Sequence, residues 1–143
     1  MPANILKQNY QYQNLILKGG ILETGTFYNN TGSAVVLTPG VLLGRNTSTG
    51  NLQVMASGSN DGSLFPRGVV SDTYPSVANG ASITVNYWVK GEINQNVLQF
   101  NGTDTLNTIV GAEGSQGSTY ADLINALTQL VLFPSIELSN YDN

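Results

Sequence analysis

Hydrophobic positions in this chain come in short bursts broken by turn residues, and only one stretch departs from that rhythm. Ala34-Val35-Val36-Leu37 leads into Thr38-Pro39-Gly40, where proline fixes φ and glycine permits φ > 0. Val41 to Arg45 then enters the polar reverse turn Asn46 to Asn51 and returns as Leu52-Gln53-Val54-Met55, a hairpin pattern. A second loop, Ser57 to Ser63, has its tight corner at Asp61-Gly62, and Gly68 to Ser71 reads as another short strand. The strongest strand follows Asn79-Gly80: Ile83, Val85, Tyr87 and Val89 alternate with Thr84, Asn86, Trp88 and Lys90. Period two with β-branched and aromatic residues predicts one buried face. Strands at such short spacing argue for a compact barrel or sandwich, not a parallel α/β sheet.

The period changes near the C-terminus. Ser118 or Thr119 can cap a helix, with Asp122 three residues after Thr119 as a variant capping box. Tyr120, Leu123, Ile124, Leu127, Leu130 and Val131 fall at spacings of three and four, predicting one helical stripe that Pro134 stops. Its simplest role is to face the core. Ile136 and Leu138 alternate with polar residues as a last short strand, and Gly111 to Gly117 reads as a flexible link. At the other end, Gln8 to Asn14 holds amides and tyrosines but no aliphatic residue, so it has little to bury against the entropy of ordering. Leu15-Ile16-Leu17 adds a short strand at its end, and Gly19-Gly20 closes the segment. Residues 1–20 are therefore expected to be an arm, mobile in the free protein and able to order against a partner, and 21–143 a β-rich body.

Composition narrows the chemistry. Of 143 residues, 17 Asn, 13 Thr, 12 Ser and 8 Gln make 50 neutral polar side chains, while only 10% are charged, against a usual ~25%. With neither His nor Cys, the chain itself supplies no disulfide, cysteine nucleophile, His-based triad or N/S metal site. Its net charge is −4, and its five cations (Lys7, Lys18, Arg45, Arg67 and Lys90) form no run in sequence. Phosphate-backbone binding needs clustered cations, so nucleic acid is not an expected partner. No apolar stretch approaches the ~20 residues of a membrane span, and no secretory signal pattern is visible at Met-Pro-Ala-Asn. Phosphate-loop, dinucleotide, nucleophile-elbow and EF-hand patterns are all missing. Glu23, Asp72, Glu92, Glu113 and Glu137 are the candidates for a carboxylate pair, but a solvated or strand-end acid is the simpler reading of each. No cofactor is expected, and no catalytic residue is assigned. Trp88 is read as packing at a core edge or subunit contact.

The middle of the chain resembles the lambda-type phage head decoration family, the capsid-stabilising proteins. The likeness rests on an ordered string: Thr38-Pro39-Gly40-Val41-Leu42-Leu43; Thr47-Ser48-Thr49-Gly50 with Leu52 and Val54; Asn60-Asp61-Gly62. It continues with Arg67-Gly68-Val69-Val70 and Asp72, then Ile83 through Ile93 with its Lys90-Gly91 step, then Val97-Leu98. It covers about residues 38–100 and extends through the helix and strand pattern of 119–138. The arm's Gln/Tyr-rich character and the Gly111–Gly117 link depart from the family pattern. The resemblance implies a mainly β subunit with one C-terminal helix, a small β-clip-like or β-barrel-like domain with an extended N-terminal arm. It further implies a non-enzymatic homotrimer on the outer surface of the virion, bound to the major capsid protein at three-fold sites of an expanded head and bracing it against packaged DNA. In that frame Ile5, Leu6, Tyr10, Tyr12, Leu15, Ile16 and Leu17 would dock the arm on the shell. Trp88, Thr38 and Pro39 would serve subunit packing and strand entry. The alternatives are a fibre or tail module that binds a host-surface glycan, and a small hydrolase built on two carboxylates.

Overall fold

The computed structural model describes residues 15–110 and 117–133. Its strands, in chain order, are β1 (Ile16–Tyr28), β2 (Val35–Leu37), β3 (Leu42–Arg45), β4 (Leu52–Val54), β5 (Pro66–Val70), β6 (Tyr74–Val77), β7 (Ser82–Asn94), β8 (Ile109–Val110), β9 (Ser118–Thr119) and β10 (Gln129–Phe133). One helix, α1 (Tyr120–Leu127), precedes β10. The protein is mainly β with a single short C-terminal helix, in line with the sequence pattern.

The hairpin read from Val41 to Met55 is present, with Leu43 opposite Val54 and Arg45 opposite Leu52. β3 pairs with β5, β5 with β7, and β7 with β1 along nearly its whole length. β1 meets β4 at Phe27 and Leu52, so β1, β4, β3, β5 and β7 close into a ring. Closure removes the exposed edges that an open sheet of these strands would carry.

Side-chain alternation then sorts the core. Phe27, Leu43, Leu52, Val70, Val85 and Tyr87, at least one from every strand of the ring, form one buried cluster and fill its interior. The small β2–β6 sheet adds Leu37 and Val77 to it. Their chain neighbours Leu42 and Val69 point the other way, with Ile93, into a second cluster that α1 and β10 cover with Tyr120, Ile124 and Leu130. Trp88, next to Tyr87, packs on this outer cluster. The inner face of the sheet and part of its outer face are thus buried.

Two expectations need correction. Residues 15–20 were expected within the arm but belong to the body: Leu15 is buried, and Ile16 and Lys18 pair with Ile93 and Glu92. Leu15-Ile16-Leu17 supplies the aliphatic surface that the preceding amide run lacks, and burial there offsets ordering. The helical stripe was expected to run through Leu130 and Val131, yet α1 stops at Leu127. Thr119 caps its start, accepting from the Asp122 N–H at 3.2 Å, as the sequence implies. At its end the Thr128 hydroxyl donates to the Ile124 carbonyl at 2.6 Å and accepts from the Leu130 N–H at 3.1 Å, turning the chain into β10. Gln129-Leu130-Val131-Leu132-Phe133 then pairs in parallel with Lys90 to Asn94 of β7. A free stretch of ladder in β7 outweighs helix propensity over these residues. The expected strand at Ile136 and Leu138 and most of the Gly111–Gly117 link lie outside the described residues.

Polar side chains hold the turns. Asn29, fully buried, donates from Nδ2 to the Ser33 and Val77 carbonyls at 2.8 Å each, while its Oδ1 accepts from the Thr31 N–H and hydroxyl. Gly40 sits at φ 109° in the Thr-Pro-Gly turn, and a Cβ there would collide with the Val97 carbonyl oxygen. Gly40→Ala is therefore expected to cost at least ~2 kcal/mol. Leu43→Ala, in the ring interior, should cost ~3–5 kcal/mol. Urea denaturation of each variant, read as a lower midpoint at unchanged slope, checks both.

Candidate interaction surface

The sites proposed from sequence separate into three groups. Ile5, Leu6, Tyr10 and Tyr12 lie outside the described residues. Leu15, just before β1, and Ile16, its first residue, pack on the outer core, and Leu17 is half-buried. Thr38, Pro39 and Trp88 have internal partners: the Gln99 side-chain amide donates to the Thr38 hydroxyl at 2.8 Å and to the Pro39 carbonyl at 3.1 Å. Trp88 lies so close over Gly20 that a Cβ there would strike its six-membered ring. These contacts fix strand entry and the β1–β7 crossing, whatever else the residues do.

Of the carboxylates named from sequence, Asp72 and Glu23 each hydrogen-bond to a different uncharged side chain. Asp72 accepts from the Asn86 side-chain amide at 3.1 Å, beside Tyr74. Glu23 instead meets Tyr87, and Glu113 and Glu137 fall outside the described residues. Among the described residues no group of three or more His, Cys, Asp or Glu side chains could hold a metal ion. None of the described helices is long and apolar enough to cross a membrane.

A different constellation forms at one mouth of the ring. The Tyr87 hydroxyl donates to Glu23 Oε1 at 3.1 Å, and Arg45 Nη2 donates to the same hydroxyl at 3.2 Å. A carboxylate from β1 and a guanidinium from β3 are thereby bridged by a phenol from β7. Burial pushes the Tyr87 phenol above its ordinary range, reinforced by its bond to Glu23 and opposed by the positive charges of Arg45 and Arg67. Arg45 also donates from Nη1 to the Gly50 carbonyl at 2.9 Å, which ties it to the hairpin turn.

Two adjoining clefts open from this point. The first, about 490 Å³, is lined by Ile21, Glu23, Arg67, Tyr87, Lys90 and Leu127 among others. The second, about 500 Å³, shares Arg67 and Leu127 and adds Arg45, Phe65 and Leu123. Ile21, Phe65 and Leu127 are large apolar side chains exposed at 49%, 40% and 49%. Three of the chain's five cations therefore line a continuous surface on which, among the described residues, Glu23 is the only carboxylate. The sequence spreads these cations 22 and 23 positions apart, and only the register of β3, β5 and β7 gathers them. Chemically the surface suits an apolar segment that carries negative charge.

A further cluster steadies the loops beside it. Asp61 Oδ1 accepts from the Ser63 hydroxyl at 2.5 Å and N–H at 2.9 Å, and Oδ2 accepts from Asn46 at 3.3 Å. The Ser63 bonds hold its carboxyl below the usual carboxylate range.

No family model matches this chain, and no curated protein matches it.

Tyr87→Phe is expected to destabilise the fold by about 1–2 kcal/mol, since Arg45 and Glu23 lose their shared partner. A double-mutant cycle with Glu23→Gln should show coupling of ~0.5–1 kcal/mol. Asp61 contributes stability that is present above its unfolded pKa near 3.8 and lost as pH falls through its lower folded value. Thermal unfolding from pH 6 to pH 2 should show a shallower acid slope for Asp61→Asn than for the native chain.

Proposed function

We propose that this protein is a structural virion component, a homotrimeric decoration protein that binds the outer surface of an expanded phage head and stabilises it. The observation that carries the reading is the ordered string from Thr38 to Leu98, whose pieces fall on successive elements of one closed ring. The Thr-Pro-Gly turn enters β3, the Thr47–Gly50 turn joins β3 to β4, Arg67–Val70 is most of β5, and Ile83–Ile93 is nearly all of β7. A decoration role asks for a stiff small body and for attachment without chemistry.

Two features support attachment by backbone. β10 pairs with β7 on one side, and among the described residues no strand pairs with its other side. Its residues, Gln129 to Phe133, carry no charge or proline to discourage an added strand. Residues 1–14 precede β1 and supply Ile5, Leu6, Tyr10 and Tyr12 for main-chain pairing with side chains in pockets on a shell protein, a mode that needs little charge. Three such arms on one trimer multiply weak contacts into a long-lived complex.

The boundary of the body sets the test. A chain lacking residues 1–14 retains Leu15 and all of β1, so it should fold and keep its oligomeric state while losing binding to expanded empty shells by at least ~100-fold. Sedimentation of shells with native and shortened protein reads this directly. Unchanged decoration by the shortened chain would remove the arm from the account, and failure of the native protein to bind any head would remove the function.

A further inference from the structure

The cationic, apolar surface at the mouth of the ring is not used by an arm-docking role, and its chemistry singles out an occupant within the chain itself. Residues 134–143 read Pro-Ser-Ile-Glu-Leu-Ser-Asn-Tyr-Asp-Asn: two carboxylates, no cation, and three large apolar side chains at Ile136, Leu138 and Tyr141. That composition complements Arg45, Arg67 and Lys90 set among Ile21, Phe65 and Leu127. In a chain with net charge −4, no other described cleft gathers cations in this way.

Direction favours a second copy as the source of the segment. β10 begins beside the cleft, with Gln129 opposite Lys90, and runs away from it to Phe133 opposite Asn94. At ~3.3 Å per residue, Phe133 lies roughly 13 Å beyond the cleft. The next residue in sequence is a proline, a residue type that disfavours the positive φ of two-residue primed turns. The residue before a proline also prefers to stay extended, as Phe133 is in β10. Ten further residues span at most ~33 Å, enough to meet a neighbouring copy.

We propose that residues 134–143 of one copy seat in this cleft of a second copy, with Glu137 and Asp142 facing Arg67 and Lys90 and the apolar side chains on Leu127 and Phe65. Such a contact is heterologous, cleft to tail, and closes when a rotation brings the last copy back to the first. It rests on the self-assembly in the proposed function and is independent of capsid docking.

The test uses the full chain with Tyr141→benzoylphenylalanine, prepared as an equal mixture of ¹⁴N and ¹⁵N protein and illuminated. Expected are mixed-isotope adducts to the peptides that carry Phe65–Arg67 or Leu123–Gln129. Raising salt or introducing Arg67→Glu should lower their yield about tenfold, and adding Glu137→Lys to Arg67→Glu should restore much of it. Adducts confined to one isotope, adducts elsewhere, absence of adducts, or a yield indifferent to Arg67→Glu would each overturn the proposal. Shell binding, measured separately on the same proteins, reports on the decoration reading and leaves this one to the cross-links.

Discussion

Everything in this fold depends on β7 having something to bury on both sides. Tyr87 points into the ring while Trp88 points onto the outer cluster, and the same division holds for Leu43 and Leu42 on β3 and for Val70 and Val69 on β5. A chain with few charges and no disulfide needs a large buried fraction from a small body. Wrapping five strands into a ring fills one face, and laying α1 and β10 on the outside fills part of the other. Shifting β7 by one residue would turn Val85 and Tyr87 out of the ring and Trp88 into it, so its register is fixed by the hydrophobic effect on both faces at once.

The same ring places the chemistry. Residues far apart in sequence meet at its mouth because two antiparallel registers set β3 beside β5 and β5 beside β7. Glu23, Tyr87 and Arg45 are held in order by direct hydrogen bonds, so the mouth has a rigid polar floor. The exposed Ile21, Phe65 and Leu127 form a softer rim. A rigid floor under an apolar rim favours a protein segment over a small metabolite, since the clefts are open and shallow relative to an enclosed ligand cavity.

Much of the architecture could be read from local pattern. The β3–β4 hairpin followed from two apolar runs around Asn46–Asn51, the long strand from the alternation at Ile83–Val89, and the start of α1 from Thr119 and Asp122. What the pattern hid was decided by partners. Gln129–Phe133 has residues compatible with either a helix or a strand, and the exposed ladder of β7 selects the strand. Leu15–Leu17 looked like the end of a polar arm until Ile93 and Glu92 supplied a place to pair. The cation surface left no trace in spacing, because Arg45, Arg67 and Lys90 become neighbours only after the ring closes. Trp88 was legible as packing, but its seat over Gly20 requires knowing that β1 and β7 cross there.

The buried Asn29 amide has a wider meaning. It saturates four polar groups at the junction of β1, β2 and β6 without an ionised atom, and the Asn46 amide oxygen does related work in the β3–β4 turn, accepting from the Ser48 and Thr49 N–H groups. Amide staples of this kind are neither screened by electrolytes nor opened by reductants. Turns stitched this way depend on no ion pair and no disulfide, so neither salt nor reductant acts on them directly.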